Sequence, residues 1–213
     1  MRSHATTRAT WNKSGTSKPL PQSLMGGWRA LSTDPSRKNI ALTGFMAVGK
    51  SVVGRKLARK LGQRFVDLDQ VIAEIAGMEI HEIFNCKGEA YFRKVEKQAL
   101  RELLCRNGQV VATGGGAVMD EENLRLLKQR SLLICLSASP DVLLQRSKTS
   151  RGRPLLKGNN RQTRIEALLK QREKNYALAH VSIDTTGLSV NKVVEKIIRE
   201  IESRSQNPEA GGN

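Results

Sequence analysis

Short apolar runs alternate along the chain with longer stretches in which apolar residues recur every three to four positions. The runs are Ile40 to Thr43, Arg64 to Val66, Val110 to Thr113, Leu132 to Leu136 and Val181 to Ile183. They are too short for stable helices, and they predict strands. Between them, 51–61, 69–76, 79–106, 120–129, 139–147, 162–178 and 189–203 carry the helical period. The last shows it most clearly: Val190, Val193, Val194, Ile197, Ile198 and Ile201 fall on one face, and Ser189 stands where an N-cap belongs. Strands separated by helices predict an α/β fold, a parallel sheet with helices on both faces. No internal repeat interrupts the pattern. Residues 204–213 carry two glycines and a proline and are expected to form a flexible tail.

Two segments fall outside this alternation. Residues 147–161 are long, basic and glycine-containing, with Arg151, Gly152, Arg153, Pro154, Lys157 and Gly158 among them. Loops of that length are usually functional or disordered: in a phosphoryl-transfer enzyme this one would be a cationic closing lid, and the plainer alternative is a solvated basic linker. Residues 1–38 show no sustained hydrophobic period and are expected to stay disordered. They carry Arg2, Arg8, Lys13, Lys18, Arg29, Arg37 and Lys38 against Asp34 alone, a marked share of the whole chain's net charge of +16. An Arg- and Ser-containing, acid-poor leader has the composition of an organellar transit peptide, and plastid import is one reading of it. The reading preferred here is a disordered extension or a start placed too early, on a cytoplasmic protein. No apolar run reaches the roughly 18 residues of a membrane span, so no membrane partner is expected. The charge alone would suit nucleic acid or any multiply charged anion.

Residues Gly44-Phe45-Met46-Ala47-Val48-Gly49-Lys50-Ser51 narrow that choice. This is the complete G-x-x-x-x-G-K-S phosphate loop, delivered by a predicted strand and opening into a predicted helix. In that context the helix N-terminus aims backbone N–H groups at an anion. Lys50 can reach the β- and γ-phosphates of a nucleotide, and the Ser51 hydroxyl can ligate Mg²⁺. A phosphate loop names the nucleotide and leaves the acceptor open.

Acceptor chemistry is read at the carboxyl ends of the other strands, where a parallel sheet forms its ligand crevice. Asp67-Leu68-Asp69 follows the second strand. Positions i and i+2 of an extended segment point the same way, so both carboxylates can converge beside the phosphate loop. One could hold Mg²⁺ through water and the other could take a proton from an attacking hydroxyl. A simple helix N-cap at Asp69 is the plainer alternative. Gly114-Gly115-Gly116 follows the third strand, leaving bare backbone against which a small ligand can lie. Arg93 stands three residues before Glu96 on one helical face, either as an exposed ion pair or as a fork for a substrate carboxylate. Arg172 is equally open between the two.

The remaining reactive side chains add little. Cys86, Cys105 and Cys135 form no C-x-x-C pair and are expected to be small buried hydrophobes. His81 lacks a second His at metalloprotease spacing, which removes a metal role for it. Aromatic residues are 4% of the chain and no nucleic-acid module is recognisable, so nucleic acid is not expected as a partner.

Taken in order, these motifs resemble the shikimate kinases over roughly residues 39–200. The likeness rests on Gly44 to Ser51, Asp67-Leu68-Asp69, Phe92-Arg93-Lys94-Val95-Glu96, Gly114-Gly115-Gly116, Arg151-Gly152-Arg153-Pro154-Leu155-Leu156, and Arg172 ahead of Tyr176. The resemblance implies a three-layer P-loop fold like that of nucleoside monophosphate kinases, with a five-stranded parallel sheet in order 2-3-1-4-5 and a mobile lid. It implies transfer of the ATP γ-phosphoryl group to the shikimate 3-hydroxyl, on the route to chorismate and aromatic amino acids. Asp69 would be the base, with Lys50 and Arg153 assisting transfer. Ala47, Val48, Gly49, Lys50, Ser51, Val52, Arg146 and Arg153 would bind ATP. Arg93, Arg172, Asp69 and Gly114 to Gly116 would hold shikimate, while Ser51 and Asp67 would hold Mg²⁺. A monomer is expected, since the implied site is complete in one chain.

Two positions depart from the family pattern. Ala47 stands where glycine is common in the family. Thr186-Gly187-Leu188 follows Asp184-Thr185 where the family often carries an arginine near adenine. The rival small-molecule reading is a gluconate kinase, which shares the phosphate loop but has no evident need of this Asp, Arg and triple-glycine set.

Overall fold

The computed structural model describes residues 38–148 and 160–206. Five strands, β1 (Asn39–Gly44), β2 (Arg64–Asp67), β3 (Gln109–Ala112), β4 (Ser131–Ser137) and β5 (Val181–Asp184), form one sheet. Every pairing is parallel, in the order β2-β3-β1-β4-β5. The helices are α1 (Lys50–Leu61), α2 (Leu68–Ala76), α3 (Ile80–Cys86), α4 (Gly88–Leu104), α5 (Glu121–Arg130), α6 (Pro140–Lys148), α7 (Arg161–Ala177) and α8 (Val190–Gln206). A 3₁₀ turn spans Ala117–Met119.

The sheet divides the core in two, and β1 shows why. Its side chains alternate: Ala41 packs with Val111, Leu133, Ile72 and Leu100 under α2 to α5, while Ile40 and Leu42 pack with Val110, Ile134, Leu57 and Val194 on the other face. All six residues of β1 are buried. A strand covered on both faces favours apolar side chains on both, and Ile40-Ala41-Leu42 supply them between the buried polar Asn39 and Thr43. The three-layer architecture and the 2-3-1-4-5 order therefore stand as expected.

Three local expectations need correction. The helix predicted over 79–106 is two helices, because the chain turns at Lys87-Gly88, where Gly88 has φ +79°. A left-handed backbone is easy for glycine and ends the first helix. A capping box opens α3: Glu82 accepts the backbone N–H of Glu79 at 2.9 Å, and Glu79 in turn caps the first turn. The terminal helix runs to Gln206, past the expected end at Ser203, and Arg204 donates to the His180 carbonyl at 2.8 Å. Ser189 does cap it, accepting from Lys192 N–H at 3.4 Å. Finally, Cys86 and Cys105 are exposed, and only Cys135 is the buried hydrophobe expected of all three. Burial pushes the Cys135 thiol up to about 11, with Lys50 opposing, so it is an inert apolar filler.

Candidate active site

The phosphate loop joins β1 to α1 and is shaped by three unusual residues. Gly44 (φ +129°), Ala47 (φ +62°) and Gly49 (φ +107°) all lie in left-handed territory. At Gly44 a β-carbon would sit 2.1 Å from the Leu136 carbonyl oxygen of β4, so only glycine lets the loop leave the sheet here. Ala47 holds its conformation without that freedom, at a cost on the order of 1 kcal/mol. Its neighbour Val48 is buried, which anchors the strained turn. Lys50 folds back over the loop, donating to Gly44 O at 2.8 Å and Phe45 O at 2.9 Å. Its ammonium is therefore held over the cradle that phosphates would occupy. Val52 projects outward, 56% exposed, on the first turn of α1.

Ser51 and Asp67 meet across the loop: the hydroxyl donates to Asp67 Oδ2 at 2.7 Å. The other carboxylate oxygen of Asp67 accepts the Asp69 backbone N–H at 3.2 Å and caps α2. The cap is therefore not Asp69, the plainer alternative from sequence. The helix starts directly after the strand, which makes Asp67 the cap, and Asp69 Oδ1 faces Gly114. A hydroxyl and a carboxylate 2.7 Å apart beside a phosphate loop are hard oxygen donors, a set that suits Mg²⁺.

The triple glycine brings the other candidates together. A β-carbon on Gly114 would lie 3.2 Å from both Asp69 Oδ1 and Glu96 Oε1. One on Gly115 would lie 3.0 Å from Gly44 O and 3.4 Å from Arg172 Nη1, and one on Gly116 would lie 2.9 Å from Arg93 Nη2. Two carboxylates and two guanidiniums thus crowd one stretch of bare backbone, and that backbone also touches the phosphate loop. Thr113 pins the start of the stretch to β1, its N–H donating to Leu42 O at 2.9 Å. Of the predicted residues, Asp69, Arg93, Arg172 and Gly114 to Gly116 come together here. Arg153 and most of the predicted lid lie outside the described residues.

Arg146 of α6 reaches over the far side of the loop. It donates to Val48 O and Thr185 Oγ1, each at 3.2 Å, and to Thr185 O at 3.4 Å. It thereby ties the phosphate loop to the turn after β5. That turn is built by an Asx bond from Thr186 N–H to Asp184 Oδ1 at 2.8 Å and by Gly187 at φ +67°. Thr186 also accepts from Ser139 N–H at 3.0 Å. Where the family often carries an arginine, this chain has a tight turn fastened to α6.

From its spacing, Glu96 is only a partner for Arg93. The structure makes it part of the site: its side chain is 1% exposed, Oε2 accepts from Arg93 Nη1 at 2.8 Å, and Oε1 has no hydrogen-bond partner among the described residues. Burial raises its pKa, the Arg93 pairing opposes this, and the nearby Asp69 charge adds to it. A signal was present, because Phe92, Val95, Glu96, Ala99 and Leu100 share the buried stripe of α4. An acid on an apolar stripe is held there by something. Arg93 also pairs with the exposed Glu89 at 3.0 Å.

The ion pair carries a stability prediction. Arg93→Ala strands the Glu96 carboxylate and should cost about 2 kcal/mol at pH 7, less than a fully buried pair because Arg93 is 35% exposed. A buried acid whose folded pKa lies above its unfolded value loses stability as pH rises through that interval. The deficit of Arg93→Ala should therefore shrink between pH 7 and pH 5, and adding Glu96→Gln should restore much of it. Denaturant melts of the three variants at both pH values check this; an equal deficit at pH 5 and 7 would assign it to lost packing.

A phosphate loop set at the carboxyl end of a 2-3-1-4-5 parallel sheet, with two carboxylates and two guanidiniums gathered against its flank, defines a P-loop phosphotransferase. The shikimate kinase family profile matches residues 46–202. A shikimate kinase of Geobacter sulfurreducens is 49% identical over 174 residues, 82% of this chain and 96% of that protein. One from Thermodesulfovibrio yellowstonii is 46% identical over 168 residues, covering 79% and 97%. Among solved structures, shikimate kinase from Acinetobacter baumannii in complex with shikimate superposes with a TM-score of 0.76 at 37% identity, covering 81% of this chain and 98% of that one. The chain belongs to the shikimate kinase family and is an ATP-using kinase.

Proposed function

We infer that the chain transfers the γ-phosphoryl group of ATP to the 3-hydroxyl of shikimate, giving 3-phosphoshikimate and ADP for aromatic amino acid biosynthesis. One observation carries the residue assignment: Gly114 to Gly116 bring Asp69, Glu96, Arg93 and Arg172 together and press against Gly44 of the phosphate loop. Phosphate site and acceptor cradle share a wall.

Shikimate is a small polyol with one carboxylate. Arg93 and Arg172 complement the carboxylate through their planar forks, and the bare glycine backbone lets the ring approach closely. Asp69 accepts the proton of the 3-hydroxyl as its oxygen bonds to the γ-phosphorus and the bond to the ADP oxygen breaks. Lys50 leaves the loop carbonyls to meet the β- and γ-phosphates, while the loop N–H groups at Ala47 to Val52 cradle them. Arg146 flanks the adenine side. Arg153 of the lid adds positive charge over the transferred group. Ser51 and Asp67 would hold Mg²⁺, which when bound offsets phosphate charge. All of these groups belong to one chain, which supports a monomer. Among the described residues, no helix is long and apolar enough to cross a membrane. A cytoplasmic setting belongs to the same proposal.

The test is ADP release from ATP and Mg²⁺ with shikimate, and with gluconate as control acceptor. Stimulation by shikimate alone is expected. A folded protein that binds ATP yet responds to neither acceptor, or to gluconate instead, would overturn the acceptor assignment.

A further inference from the structure

Gly115 carries more than its bare backbone. Its carbonyl oxygen accepts two hydrogen bonds from α7, one from Tyr176 Oη at 2.7 Å and one from Arg172 Nη1 at 3.3 Å. Asn175 Nδ2 donates to Val118 O at 2.9 Å, three residues further on. Residues 172, 175 and 176 stand at i, i+3 and i+4, so one face of α7 grips the loop through three side chains. The opposite wall is the phosphate loop, where a β-carbon on Gly115 would lie a tight 3.0 Å from the Gly44 carbonyl oxygen. The Arg172 guanidinium also lies 5.7 Å from the centre of the Phe45 ring, so it rests between that ring and the Gly115 carbonyl.

Arg172 therefore has two tasks that compete. It hydrogen-bonds the Gly115 carbonyl here, and on the reading above it must serve a substrate carboxylate. A half-buried carbonyl stripped of its only donor costs about 1–3 kcal/mol. Tyr176 removes that cost, because it makes the shorter bond to the same oxygen. Burial also holds its phenol above the ordinary range, with Arg172 opposing, so it remains a protonated donor at neutral pH.

We propose that Tyr176 is a positioning residue for acceptor binding: its hydroxyl keeps the Gly115 carbonyl satisfied so that Arg172 can leave it for the substrate carboxylate. This rests on the assignment of Arg172 to shikimate. Without the hydroxyl, Arg172 becomes the sole donor among the described residues and is retained on the loop.

The experiment is Tyr176→Phe in the full chain, with steady-state kinetics for both substrates and calorimetric titration of shikimate. The shikimate KM should rise about tenfold, the effect of one hydrogen bond, while the ATP KM stays within about twofold and kcat within about threefold. A merely structural loosening would raise both KM values together and would overturn the proposal, as would an unchanged shikimate KM. The stricter test repeats the change in an Arg172→Ala background, where no guanidinium is left to release. There Tyr176→Phe should add almost nothing to the loss of shikimate binding; the same factor in both backgrounds refutes the coupling. Tyr176→Met, also without a donor, serves if the phenylalanine variant does not accumulate folded. A wild type with no shikimate response would refute the functional reading itself. A responsive wild type matched by Tyr176→Phe would refute the role of Tyr176 alone.

Discussion

Asp69→Asn should lower kcat with shikimate by about 10²–10⁴-fold, the range of a lost general base, while ATP binds as before. The substitution is a clean probe because of how α2 begins. The cap bond uses the backbone N–H of Asp69 and the side chain of Asp67, so the helix keeps its start when the carboxylate becomes an amide. The amide also matches the carboxylate in size beside Gly114, where space is already tight. Measuring ADP release alongside a nucleotide titration separates the outcomes. A parallel loss of ATP affinity would move Asp69 to the nucleotide site or to folding. Full activity would remove it from proton transfer altogether.

Gly44→Ala is expected to prevent folding or to cost more than about 3 kcal/mol. Two penalties coincide at this position. The backbone has φ +129°, and a β-carbon would lie 2.1 Å from a carbonyl oxygen of β4, which cannot move without opening the sheet. Companion variants separate the two terms. Gly62 has φ +61° and nothing within 4 Å of a β-carbon, so Gly62→Ala should lose only about 1 kcal/mol from backbone strain. Gly49→Ala, with φ +107° and its nearest neighbour a Val53 methyl at 4.0 Å, should fall between them in stability. Denaturant melts of the three variants give the order. A Gly44→Ala protein as stable as Gly62→Ala would mean that β4 yields more easily than its pairing implies.

Much of this fold was legible because burial on both faces of a parallel sheet writes itself into the sequence as short unbroken apolar runs. The loop between β1 and α1 was legible for a different reason: phosphate contact by backbone demands glycine at fixed places. What escaped notice depended on partners far away in the chain. The role of Glu96 follows from Gly114 and Asp69, which approach it only when β2, β3 and α4 have assembled. The Tyr176 bond spans sixty-one positions to a carbonyl oxygen, an atom that no residue type advertises. The break at Lys87-Gly88 was hidden by apolar spacing that runs on through it. The exposed Cys86 and Cys105 show that residue type alone is a poor guide to depth. The cap falls on Asp67 in place of the expected Asp69 because the strand runs one residue further, a shift finer than periodicity resolves.

The join between β2 and α2 sets a limit on how such an enzyme can be altered. Strand ends at Asp67 and helix begins at Leu68, with no residue of slack between them. Lengthening or shortening the chain here would turn Asp69 away from the crevice by about 100° per residue and take the cap from α2 at the same stroke. An engineer seeking a new acceptor must therefore leave this spacing alone. Exchangeable parts are the side chains that face it from α4 and α7, which can change identity without changing the chain's length.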